Sequence, residues 1–129
     1  MTASVRMSAA VSPSGWPAGV RPPDAPDWEA TAVAWLFDRC LLEYRGYSGL
    51  RRYPVVLARF AALHVEGMQD AARRGVSEAR TAFRDVAEPD VVERAVATWQ
   101  LEAERLSALR REVELVEEAL RGRRFRPRL

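Results

Sequence analysis

Every seventh residue from Val92 to Leu120 is apolar: Val92, Trp99, Leu106, Val113 and Leu120, with Ala95, Leu109 and Val116 between them. A repeat of seven holds apolar side chains on one stripe of an α-helix, and no strand or loop requires that spacing. Glu102 is its single polar interruption. The stripe predicts a helix over residues 89–121, opened by Pro89, which suits a first helical turn, and closed by Gly122.

A stripe of that length needs a partner of similar length. Upstream of it, Pro54 opens a second periodic segment, in which Leu57, Ala61, His64, Met68, Ala71, Gly75, Ala79, Ala82 and Val86 recur at spacings of three and four. A second helix is expected over residues 53–86, weakened by about 1 kcal/mol relative to Ala at each of Gly67 and Gly75. Both helices would be roughly 50 Å long, and the very short connection at Pro89 requires them to run antiparallel. Trp99, Leu106, Leu109 and Val113 are then expected to face the stretch from Met68 to Ala79.

A shorter first helix is expected over residues 27–43, with Asp27 as a candidate cap and Glu29 placed favourably in the first turn. The segment Tyr44 to Tyr53 carries Gly46 and Gly49 and reads as a connecting loop. Residues 1–26 hold five of the eight prolines and no hydrophobic period, so a disordered tail is expected there. The expected architecture is all-α: three helices, of which two form a long antiparallel hairpin, partly coiled-coil in character, with the shorter N-terminal helix packed on it. Residues 27–121 form the helical domain and residues 122–129 an Arg-rich tail. A chain of 129 residues with 48% apolar content is enough for one such core.

All 20 basic residues are Arg, and the sequence lacks Lys, Asn and Ile, a bias that points to the coding of a GC-rich bacterium. The charge is uneven. Residues 89–120 carry eight acidic residues against four Arg, a net of −4, and residues 121–129 carry five Arg and no acid. No broad basic field surrounds the chain. The lone Cys40, the absence of a signal-like apolar run and the absence of a membrane-spanning length suggest a cytoplasmic protein.

Catalytic and metal chemistry finds little to work with. One His and one Cys do not make a zinc site, and Ala61 stands where a di-iron bundle would need Glu three residues before His64. His64 lies on the apolar stripe and reads as a packing residue. A nucleophile pair of Cys40 and His64 would lack an orienting third group. The carboxylates Glu112, Glu114, Glu117 and Glu118 stand at ion-pairing spacings from Arg110, Arg111 and Arg121 and read as a solvated face. No enzyme, metal, cofactor or small-molecule substrate is therefore expected.

Two features suggest partners. The first helix is apolar on two sides: Val33, Leu36, Phe37, Cys40 and Leu41 occupy one arc, whereas Trp28, Trp35 and Leu42 gather on the other. A hairpin covers one face only, so Trp28, Trp35 and Leu42 are the expected interface. It would be covered by a second copy, another protein or the N-terminal segment folding back. The second feature is the set of Arg45, Tyr47, Arg51 and Arg52 in the loop with Arg123, Arg124, Arg126 and Arg128 in the tail, which suits nucleic acid or an acidic partner. The function expected is a non-enzymatic protein–protein interaction or assembly module, in a homodimer or with another protein; the alternative is a nucleic-acid-binding accessory protein. At the seam, Leu106→Ala is expected to cost about 2–5 kcal/mol. A denaturant melt checks this, and an unchanged midpoint would place Leu106 outside the core.

Overall fold

In a computed structural model, residues 12–122 are described. They form four α-helices and one 3-10 turn: α1 (Trp28–Asp38), the 3-10 turn (Leu42–Gly46), α2 (Ser48–Arg52), α3 (Pro54–Ala82) and α4 (Pro89–Leu120). Pro54 and Pro89 open the two long helices, where a missing N–H leaves no bond unmade. Glu88 is extended (ψ 148°), the conformation a following proline imposes. At the other end Gly122 adopts φ +70° and its N–H reaches Ala119 O at 3.0 Å or less (2.9 Å), which stops α4 where Gly was expected to stop it.

Helices α3 and α4 form the antiparallel hairpin. Arg80 binds Glu93 in a two-pronged ion pair (2.7 and 2.8 Å) near the connection. Midway, Arg110 meets Gln69 (3.5 Å) and Glu66 (3.7 Å), and at the open end Arg59 meets Glu117 (3.1 Å). These pairs fix one register along the whole length. Trp99 meets Gly75, and Leu106 and Leu109, between Trp99 and Arg110, stand level with the stretch from Gln69 to Gly75 as expected, whereas Val113, between Arg110 and Glu117, stands level with the stretch from Arg59 to Gln69, nearer the start of α3 than expected.

The buried residues of α3 are Leu57, Ala58, Ala61, Ala62, Val65, Gln69, Ala72 and Ala79. This stripe is rotated from the expected one, so that Ala71 is exposed and Gln69 is inside. Gln69 tolerates burial because its Oε1 accepts from Arg110. Leu106, Leu109, Val113 and Val116 of α4 close the seam, and Leu36 and Phe37 of α1 complete the core. A second, smaller cluster of Ala79, Val92 and Val96 fills the hairpin end beside Trp99.

Three further expectations are corrected. First, helix α1 ends at Asp38 rather than near residue 43: Arg39 and Cys40 donate to Leu36 O and Phe37 O, and Leu41 turns extended (φ −62°, ψ 145°). The break brings Tyr44 back onto α3. Second, the segment read as a loop contains α2 and the end of the 3-10 turn, so the described residues hold four α-helices rather than three. Third, α3 stops at Ala82, four residues early, and residues 83–88 make the reversal with Val86 exposed.

Gly75 is a point of close approach between α3 and α4. A Cβ built there would lie 2.5 Å from Trp99 Cδ2, inside van der Waals contact. Gly75→Ala improves helix propensity by about 1 kcal/mol, but pushing a methyl into a filled site typically costs about 1–3 kcal/mol. The expected result is net destabilisation with Trp99 present and stabilisation in a Trp99→Ala background. A double-mutant cycle by urea melts measures it, and additive effects would refute the contact.

Candidate functional site

Residues 12–26 were expected to lack order; from Ser12 on they pack against the bundle, while residues 1–11 lie outside the described residues. The segment has no helical period because it docks by separate contacts. Trp16 Nε1 donates to Val20 O (3.0 Å) and Arg21 O (3.3 Å), closing the segment on itself. Arg21 N–H donates to Thr31 Oγ1 (3.0 Å), and that hydroxyl donates to Trp28 O (2.7 Å), which joins the segment to α1. Pro17 and Val20 are buried.

This segment covers the second apolar face of α1. The Trp16 and Trp28 rings lie 6.2 Å apart at 52°, and Gly19 lies so close to Trp35 that a Cβ would come within 2.9 Å of its Cδ1. The guanidinium of Arg39 stacks 4.9 Å from the centre of the Trp35 ring, leaving Trp35 only 9% exposed. Trp35 is thus buried and Trp28 partly covered, and of the expected interface Leu42 is the most exposed, at 72%. Of the three candidate covers, the chain's own N-terminal segment occupies the place.

The Arg and Tyr residues between α1 and α3 are brought to one end of the bundle but are differently engaged. Arg45 pairs with Asp38, and Arg51 stacks 4.9 Å over the Phe37 ring. Arg52 and Tyr47 are exposed. Arg123, Arg124, Arg126 and Arg128 lie outside the described residues. A phosphate at this loop would therefore compete with Asp38 for Arg45.

The same loop, singled out in the sequence through Tyr47, also joins α3 in an aromatic surface that the sequence did not reveal. Tyr44 is its hub, with Tyr47 at 6.2 Å and Phe60 and His64 edge-on at 6.0 and 6.3 Å. Tyr44, Tyr47 and Phe60, with Tyr53, Val56 and Leu50, line an open groove of about 830 Å³. From the groove an apolar stripe continues along the outside of α3: Val56, Phe60 (44% exposed) and Leu63 (56% exposed), then the bare backbone of Gly67. The spacings of four, three and four put all four on one helical face. The signal for it, Val56-x-x-x-Phe60-x-x-Leu63, was legible but was masked by the stronger inner stripe.

Other chemistry is sparse. Among the described residues no group of three or more His, Cys, Asp or Glu side chains is placed to hold a metal ion, and no helix is long and apolar enough to cross a membrane. Burial pushes the half-buried Cys40 thiol above its ordinary pKa, with Arg45 opposing the shift only in part. The carboxylates Glu112, Glu114 and Glu118 border a shallow hollow of about 480 Å³ against Ser14 and Gly15, and Arg110 pairs with Glu114 at 3.3 Å. Comparisons with protein families, with curated proteins and with solved structures find no match for this chain.

The raised thiol predicts slow chemistry at Cys40. At pH 8 a smaller fraction is thiolate than in an unhindered cysteine, so alkylation by iodoacetamide, followed by mass spectrometry, is expected to be slower than for a free cysteine peptide. Equal rates would show an exposed, ordinary thiol.

Proposed function

We propose that this protein is a non-enzymatic helical interaction module that engages protein partners through the outer face of α3 and the adjoining tyrosine groove. The observation that carries the reading is a contrast within the chain. Trp28 and Trp35 are shielded by residues 12–26, whereas Tyr47, Tyr53, Val56, Phe60 and Leu63 stay exposed as one continuous surface. Contiguous apolar and aromatic area of this kind on a small protein marks a binding surface, and tyrosine is enriched among residues that dominate binding energy.

The hairpin behind the surface is a stiff backing, and its seven-residue repeat gives it coiled-coil character. The partner is a protein, either a second copy or a different chain, in the cytoplasm of a GC-rich bacterium. Nucleic-acid binding is a second reading, favoured by one arrangement: Tyr47 and Tyr53 are exposed beside Arg52, as rings and a cation for single-stranded bases would be. It ranks lower because Arg45 and Arg51 are already engaged by Asp38 and Phe37.

The test is photo-crosslinking in cells with benzoylphenylalanine placed at Phe60 and, as a control, at the exposed Ala97 of α4. Discrete protein adducts are expected from position 60 and not from position 97. No adduct at position 60 sinks the reading, and adducts to RNA or DNA in its place would favour the second.

A further inference from the structure

Among the described residues, nothing accounts for Gly67. Gly75 must lack a side chain because Trp99 lies against it, but a Cβ built at Gly67 meets nothing within 4 Å. Apart from proline, glycine is the residue that least favours a helix interior, so its place in the middle of α3 calls for another cause. Close approach of a second backbone or a large side chain is the usual one. Gly67 ends the outer stripe that begins at Val56, with Phe60 and Leu63 between.

We propose that two copies of this chain pair through antiparallel α3 helices, about a two-fold axis beside Leu63, with Phe60 of each copy over Gly67 of the other. The proposal rests on the interaction-module reading and names the partner as a second copy. Around such an axis a residue three or four positions before Leu63 meets one three or four positions after it. Phe60, bulky, thus meets Gly67, which has no side chain, and Leu63 meets Leu63.

The charges beside the stripe agree with the same axis. Arg59 and Glu66 lie on one flank of α3, the flank facing α4, and a two-fold perpendicular to the paired helices brings equal flanks together. Arg59 of one copy then stands beside Glu66 of the other. Their side chains are free enough to do so: 48% of Arg59 and 43% of Glu66 remain exposed while they hold Glu117 and Arg110 within the chain. A parallel pairing, about a two-fold along the helices, would instead leave Arg59 of one copy and Glu66 of the other on opposite sides of the seam.

Light scattering of the wild-type chain at high micromolar concentration is expected to give twice the chain mass. Phe60→Ser with Leu63→Ser, and separately Gly67→Leu, are expected to weaken association by at least about tenfold, with the helical circular dichroism of the wild type retained. Register is read by disulfide formation in a Cys40→Ser background. Leu63→Cys is expected to link to its own copy, since the axis passes beside it; Val56→Cys is not, since its two copies would be about 21 Å apart along the helices.

A wild type of single chain mass overturns the pairing, as does linkage through Val56→Cys in place of Leu63→Cys. The module reading is judged separately: adducts at position 60 to a different protein from a monomeric chain leave it standing while the dimer falls. No adduct and single mass remove both.

Discussion

The face that α3 turns to the core consists mainly of alanine: Ala58, Ala61, Ala62, Ala72 and Ala79, with Leu57 and Val65 among them. Side chains that end at Cβ let a second helix approach closely, and α4 fills the space from its own side with Trp99, Leu106, Leu109, Val113 and Val116. Gly75 takes this division of volume to its limit, since even a methyl group there would overlap the Trp99 ring. One consequence is register. A large ring that fits at a single bare position resists sliding, and the ion pair of Arg80 with Glu93 limits motion nearby.

That arrangement also explains which parts of the fold the sequence revealed. Helix α4 carries the bulk, so its seven-residue repeat is plain and its observed span, Pro89–Leu120, lies within one residue of the expected one. Helix α3 carries small residues and is apolar on more than one side, so its pattern admits two readings one position apart. Met68 was taken as the inner residue, and the structure buries its neighbour Gln69 more deeply, where Arg110 satisfies it, while Met68 stays half-buried against the core. Local pattern does not show a hydrogen bond made 41 residues away in the chain.

The N-terminal segment was illegible for a different reason. Periodicity detects helices and strands, whereas residues 12–26 dock through a handful of unlike contacts: an indole bonded to two carbonyls, a proline and a valine buried, a glycine against a ring. Proline-rich composition suggests disorder because it cannot supply a repeating apolar face. Here prolines restrict the chain to the turns that carry Trp16 onto Trp28. The sequence did show that α1 needed a cover on both sides, and the segment nearest in the chain supplies it. Burial of Trp35 and partial cover of Trp28 leave the larger exposed apolar area on α3 and the tyrosines.

What keeps that outer surface in shape is the polar contact directly behind it. Glu117 is buried in α4 and accepts hydrogen bonds from Arg59 on α3 (3.1 Å) and from Arg121 just past the end of α4 (2.8 Å). A buried carboxylate without these cations would be strongly unfavourable, so the first turns of α3 are tied to the last turns of α4. Arg59 precedes Phe60 and stands one turn from Val56, so the tie fixes the backbone from which the stripe projects. Tyr44 holds Phe60 and His64 from the opposite side by edge-on ring contacts. With its backbone held from both flanks, the outer face of α3 loses little conformational freedom when something binds it, and less of the gross contact energy goes to ordering it.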